Sequence, residues 1–378
     1  MMLRNCLRAC LLVLLACAVV WCGEPVQEFV HISDTHVVDF DGVHPKLVAA
    51  REHFRHSAET LKGLLERMGR ESPPAFVLNT GDLVDSYSFD GPSGAPVYGQ
   101  IERFREALGG TRLQVFLALG NHDIHRYRQA EGRPGPIPDQ SVAEEARRRW
   151  RQAFDCFGNG TYYSFRRQVG QTAYLFLVLD HAESPVRSRD FAAAQLAWLK
   201  QQLAAHPRDA VILAMHIPLG EDEFSQSLKA AIAGASNVLL SLAGHRHSDA
   251  VEEIEAGGRR LTQVRTAALG YGADHWRRIR LLEDRVEITA TGHPEQVVKT
   301  VAVAPRRQTY PVGDEGMREG WSRREDLNLR PAVYETAEVR ACRNPVNHVQ
   351  PHRTARNCIP PRVLDPFGTQ GKEAPPCR

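Results

Sequence analysis

From Phe29 to about Ala304, short apolar runs alternate with amphipathic ones. The runs "EFVHIS", "AFVLNT", "QVFLAL", "TAYLFLVLD", "AVILAM" and "NVLLSLA" have strand length and β-rich composition. Between them Leu47, Phe54, Ala58, Leu61, Leu65 and Met68 recur at roughly helical spacing, as do Leu196, Leu199 and Leu203 in "DFAAAQLAWLKQQLAAH". Strands alternating with helices predict a layered α/β domain. Further on, "DAVEEIEAGG", "RRLTQVRTAAL", "HWRRIRLLED" and "RVEITATG" resemble short antiparallel strands joined by Gly and Asp turns. The pattern therefore predicts two packed sheets with helices outside, rather than one doubly wound sheet. There is no internal repeat of fixed period.

Both ends depart from this pattern. Arg4 and Arg8 precede an apolar stretch, Ala9 to Trp21, too short to span a bilayer comfortably, so residues 1–23 read as a targeting leader. Ala16-Cys17-Ala18 fits signal-peptidase cleavage and Leu14-Leu15-Ala16-Cys17 fits a lipobox that would anchor the protein to a membrane; an uncleaved anchor is the third reading. All three place the remainder outside the cytoplasm, periplasmic or secreted. Residues 305–378 are rich in proline and mixed charge without apolar period, and read as a disordered tail. Within it "GWSRREDLNLRP" resembles peptides of spurious reading frames, which makes a frameshift or annotation artefact the competing reading. The folded domain is expected at 24–304.

Composition narrows the function classes. Of the 378 residues 43% are hydrophobic and 24% charged, with a formal net charge of +2, so there is no basic footprint for nucleic acid. Four of the eight cysteines lie in or beside the leader and three in the tail, leaving Cys156 alone in the middle, where it reads as an inert, buried apolar residue.

Five apolar runs end alike. "FVHIS" runs into Asp34-Thr35-His36, "FVLNT" into Gly81-Asp82 with Asp85 three residues on, "VFLAL" into Gly120-Asn121-His122-Asp123, "VILAM" into His216, and "LLSLA" into Gly244-His245-Arg246-His247. Ligands of open α/β sheets bind outside the carboxyl ends of the strands, so five such ends predict one shared site. Imidazole, carboxylate and amide oxygen without thiolate favour Zn, Fe, Mn or Co. Seven candidate ligands (Asp34, His36, Asp82, Asn121, His216, His245 and His247) are too many for one tetrahedral ion and suit two ions sharing a carboxylate.

The ordered series D-x-H, GD-x-x-D, GNHD, H, GHxH resembles the calcineurin-like metallophosphoesterases from about Phe29 to Leu282. That resemblance implies a four-layer fold of two mixed β-sheets flanked by helices, and two transition-metal ions (Mn, Fe or Zn). By it Asp34, His36, Asp82 and His247 would hold one ion, and Asp82, Asn121, His216 and His245 the other, with Asp82 bridging. A water or hydroxide between the ions would hydrolyse a phosphomonoester or phosphodiester, in a small molecule or a phosphoprotein. His122 would be catalytic rather than a ligand, with Asp123 orienting it. Asp85 stands where purple acid phosphatases carry a tyrosine, which argues against an iron–tyrosinate centre.

The remaining candidates are weaker. Arg126, Arg128 and Arg133, in the polar loop "RYRQAEGRPGPIPDQ", could contact a phosphate, and Tyr87 and Tyr98 could flank a leaving group. His31, His44, His53, His56, His125, His181, His206, His275 and His293 fit no ligand block and read as surface or packing residues. The alternative function is a catalytically silent metal-binding scaffold of the same fold; such proteins typically lose ligands or the catalytic histidine, and here all stand.

Overall fold

The computed structural model describes residues 26–130, 132, 133, 135–182 and 189–303; the expected leader and tail lie outside them. Two six-stranded sheets form the centre. The first runs β16 (His293–Ala302), β15 (Arg285–Ala290), β14 (Arg277–Leu281), β1 (Gln27–Ile32), β2 (Phe76–Asn79) and β5 (Val115–Leu117). The second runs β12 (Ala250–Ala256), β13 (Arg259–Arg265), β11 (Val238–Ala243), β10 (Ala210–Ala214), β9 (Thr172–Val178) and β8 (Tyr163–Val169). In the first, β1, β2 and β5 run parallel to one another, and in the second β9, β10, β11 and β13 do. The pairs β1–β14, β14–β15 and β15–β16 of the first and β12–β13 and β8–β9 of the second are antiparallel, so both sheets are mixed.

Alternation along β9 shows how the layers are specified. Tyr174, Phe176 and Val178 point into the core between the sheets, while Leu175 and Leu177 pack outward beneath helices. Aromatic rings pack against one another within the inter-sheet core. Phe116 stacks on Phe165 with ring centroids 3.6 Å apart, and Phe76 meets Phe176 edge-on at 5.4 Å. Outside the first sheet lie α2 (Ser57–Glu71), burying Leu61, Leu65 and Met68, and α3 (Gln100–Leu108), burying Ile101 and Phe104. Outside the second lie α5 (Arg189–Ala205), with Leu199 and Leu203, and α6 (Glu223–Ala231), capped by Asp222 and burying Phe224 and Leu228. The result is helix, sheet, sheet, helix: four layers.

Three local expectations change. The helical period from Leu47 to Met68 is broken into α1 (Pro45–Arg51), a 3₁₀ turn at Glu52–Phe54, and α2. The break is fixed by tertiary contacts: Phe54 stacks on His36 at 4.3 Å and the Ser57 hydroxyl donates to the His36 carbonyl at 2.7 Å. The polar loops after Asp85 and His122 carry a third, four-stranded sheet, in the order β4 (Pro96–Val97), β3 (Ser88–Asp90), β6 (Arg126–Arg128) and β7 (Ile137–Asp139). Their period is too short to read in the sequence. α4 (Ala143–Ala153) then anchors this region through buried Trp150, whose indole donates to the Asp123 carbonyl at 2.8 Å. Cys156 is buried as expected, but disulfide-bonded rather than inert.

His31, next to the last residue of β1, is fully buried between the Thr80 and Thr266 hydroxyls at 2.9 and 2.8 Å. Burial, reinforced by the Arg277 charge, lowers its pKa from 6.5 to about 3. The folded state therefore binds fewer protons than the unfolded state between those values, and stability present above pH 6.5 falls as pH drops toward 3. His31→Gln, which keeps a donor and an acceptor, should flatten that acid slope. Urea midpoints of chelated protein from pH 7 to pH 4 check this, and an unchanged slope contradicts it.

Candidate metal centre

The carboxyl ends of β1, β2 and β5 in one sheet, and of β10 and β11 in the other, open on the same edge. Backbone bonds lock the segments beyond them together. Asp34 N–H donates to Gly81 O and His36 N–H to Asp82 O, both at 2.9 Å, and Gly244 N–H donates to His216 O at 3.0 Å. The His216 ring crosses from the second sheet to place Nδ1 3.0 Å from the Thr80 carbonyl of the first. These links bring Asp34, His36, Asp82 and His247 into one group of donor atoms, and Asp82, His216 and His245 into a second; Asp82 belongs to both. Asn121 joins the second group, its Oδ1 3.1 Å from His245 Nδ1.

The backbone carries an independent mark of this site. The non-glycine residues with positive φ among those described are Asp34, His36, Asp82, His245 and His247, with φ between 44° and 68°. Left-handed backbone disfavours these side chains, and such residues persist where surrounding contacts over-determine them. Close approach adds a second constraint. A Cβ at Gly120 would overlap Asp82, and one at Gly244 would overlap Ser33 and Asp34. Glycine is required at both positions because the chain passes directly over the carboxylates.

The donor set fits a cation. Asp34 and Asp82 are buried, and the ion-pair partners of both are imidazoles rather than arginine or lysine. Buried carboxylates need a compensating positive charge. His36 Nε2 and His247 Nε2 face each other at 3.1 Å, and His247 Nε2 lies 3.2 Å from Asp34 Oδ1. His216 Nε2 stands 3.1 Å from Asp82 Oδ2 yet makes no directed hydrogen bond. Burial opposes a charge on His216, but the Asp82 carboxylate outweighs it and raises the imidazole to about 9. The same electrostatic demand for positive charge is what a metal ion would satisfy. Asp34, His36, Asp82 and His216 are buried, whereas the His247 side chain is 30% exposed, so the centre opens on the His247 side.

His122 lies beside this cluster, with Nε2 3.9 Å from Asp82 Oδ2. Its Nδ1 is held 2.7 Å from the Asp85 carbonyl oxygen. The structure thus places the Asp85 carbonyl, rather than the Asp123 carboxylate, at the His122 ring. The Asp123 carboxylate instead accepts from Gly120 N–H at 2.7 Å and Val84 N–H at 3.0 Å, shaping the loop that carries His122. Burial, with the Asp82 charge added, pushes the Asp123 carboxyl well above the ordinary range.

A model of the calcineurin-like phosphoesterases matches residues 28–249, more than half of the chain. The chain belongs to the calcineurin-like phosphoesterase family. Over 106 residues it is 27% identical to the manganese-dependent ADP-ribose/CDP-alcohol diphosphatase of Bos taurus, a stretch covering 28% of this chain and 31% of that protein. The chain thus matches about a third of that relative's length. Among solved structures, a dimetal phosphatase from Danio rerio has the same fold, at 16% identity and a TM-score of 0.50, covering 74% of this chain and 100% of that one.

In this family member Arg126, Arg128 and Tyr87, three of the five candidate substrate contacts, have partners outside the two donor groups. Arg126 pairs with Asp90 and donates to Gly94 O, both at 2.6 Å. Arg128 is exposed, 3.7 Å from Asp139. Tyr87 is buried and its hydroxyl donates to Glu145 at 2.9 Å. Between the two arginines Tyr127 faces the centre, its hydroxyl 3.5 Å from His122 Nδ1. Arg51, absent from every sequence block, grips Asp85 through Nε at 2.9 Å and Nη2 at 2.5 Å, and Asp85 Oδ1 lies 3.3 Å from His36 Nδ1. Only the fold brings Arg51, from the end of α1, to that carboxylate; no local signal marks it.

Proposed function

We propose that the chain is a hydrolase of small-molecule phosphoesters that works with two metal ions, one in each donor group. The observation that carries this reading is the pair of donor groups sharing Asp82 beside His122 at an open strand edge. Ions held by these residues would supply Lewis acidity, lowering the pKa of a water and balancing charge on phosphoryl oxygens. The protein's own part is positional. With Nδ1–H donated to the Asp85 carbonyl, His122 presents Nε2 to the cluster. Burial lowers the His122 pKa, so the ring rests neutral, and the negative charge of a phosphoester favours its protonation. From that nitrogen it can donate to developing charge or to the leaving oxygen.

The likeness to the bovine manganese-dependent ADP-ribose/CDP-alcohol diphosphatase supports manganese and a diphosphate-bearing small molecule over a phosphoprotein. The apolar leader, together with the disulfide at Cys156, supports an oxidising, extracytoplasmic address.

The test is release of nitrophenol from bis-p-nitrophenyl phosphate and p-nitrophenyl phosphate by the full chain, chelated and then restored with Mn²⁺ or Zn²⁺. Release should require metal, and His122→Ala should lower it about 10²- to 10⁴-fold without loss of bound metal. Folded protein that binds metal and releases nothing from either ester would instead indicate the silent scaffold.

A further inference from the structure

Tyr271 is 53% exposed, one of few large apolar side chains left open among the described residues, and it stands at the mouth of the metal centre. Its ring centroid is 5.2 Å from His247 and 5.0 Å from Phe54, which in turn stacks on His36. The exposed His53 ring lies parallel to it, 1° between planes and 5.7 Å between centroids. Phenol and imidazole thus form a parallel aromatic pair on the side where the centre opens.

This surface is rigid. Tyr271 closes a short 3₁₀ turn, Leu269–Tyr271. Leu269 N–H donates to Ser33 O and Gly270 N–H to Asp34 O, each at 3.0 Å, so the turn is fastened to the loop that carries the candidate ligands. A Cβ at Gly270 would stand 3.0 Å from the Phe54 ring and 3.1 Å from Thr35 O, which shows how closely the turn is seated. A fixed tyrosine offers contact area at little conformational cost, since the ordering is complete before a ligand arrives.

We propose that Tyr271, with His53, is a stacking platform for a nucleobase, and that the substrate class is nucleotide derivatives whose phosphoester reaches the metal centre while the base lies on Tyr271. The inference rests on the reading of the centre as a phosphoester site. Stacking requires only a π-face, so the platform selects for a planar heteroaromatic ring without choosing among bases. A sugar phosphate or alkyl phosphate would leave it uncovered.

The experiment is calorimetric binding of two probes to manganese-loaded full-length protein: the non-hydrolysable 5′-phosphonate analogues of AMP and of ribose 5-phosphate. Wild type should bind the adenosine analogue on the order of 10-fold more tightly. Tyr271→Ala should close that gap and Tyr271→Phe should keep it. The ratio of the two affinities removes any general damage that Tyr271→Ala causes through its contact with His247. Equal affinities in wild type, a gap that survives Tyr271→Ala, or no binding of either probe overturns the proposal. Turnover of the nitrophenyl esters is read separately. A protein with the adenosine preference and no hydrolysis keeps the platform and loses the phosphoesterase reading.

Discussion

Asp82→Ala is expected to remove metal from both donor groups at once and to abolish hydrolysis. The carboxylate is counted in each group and lies against His36, His122 and His216, so no other single replacement reaches both. His247→Ala and His216→Ala each touch one group only and should each cost one equivalent of metal. Loss of Lewis-acid stabilisation is worth several kcal/mol, on the order of 10³-fold in rate or more. The measurement is metal content by elemental analysis alongside turnover, on protein whose circular dichroism matches wild type. Asp82→Ala that still retains two equivalents would remove the shared carboxylate from the scheme, whatever the activity.

Arg51→Ala should produce the largest loss of stability. Asp85 is completely buried, and burial alone would raise its pKa. The two Arg51 hydrogen bonds, with His36 adding to them, outweigh that and hold the carboxyl below its ordinary value. Removing the guanidinium leaves a buried carboxylate whose remaining close partners are imidazoles. Breaking a buried pair in this way costs about 3–5 kcal/mol. The Arg51 side chain is 16% exposed, which places the expectation at the lower end, a fall in Tm on the order of 10 °C. The pair stabilises the fold above the ordinary carboxylate pKa and ceases to do so as acid protonates Asp85. Variant and wild type should therefore converge at low pH. Asp85 also stands behind His36, so metal affinity should weaken about 10- to 100-fold. Arg51→Lys, a point charge without the planar fork, should recover the stability in part and the affinity less. A variant within 2 °C of wild type in Tm, or one with full metal affinity, contradicts this account; the 2 °C bound is about the smallest shift that 1 kcal/mol produces in a domain of this size.

The two predictions concern residues of different legibility. Asp82 follows an apolar run and a glycine, and four other runs end in similar residues, so the sequence places it in a shared site before any coordinates. Strand periodicity is local: β2, β5, β9, β10 and β11, and β1 but for its first residue, fall within quoted runs because burial on both faces leaves nearly uninterrupted apolar stretches. The helical period survives for α5 but is interrupted at Glu52–Phe54, where contacts with His36 override it. The small sheet of β3, β4, β6 and β7 escapes a pattern search because strands of two or three residues repeat the inward–outward alternation too few times to stand out.

By itself, then, the sequence determined the layered α/β architecture, the family, and the set of strand-end residues that converge. These depend on residue type and on spacing along the chain, and both are written in one dimension. The tertiary structure alone decided that Asp85 offers its carbonyl to His122 and its carboxylate to Arg51, that Asp123 serves its own loop, and that Tyr271 reaches the mouth beside His247. Apart from the Gly120–Asp123 bond, those arrangements join segments some tens of residues apart, through angles and distances that no local period encodes.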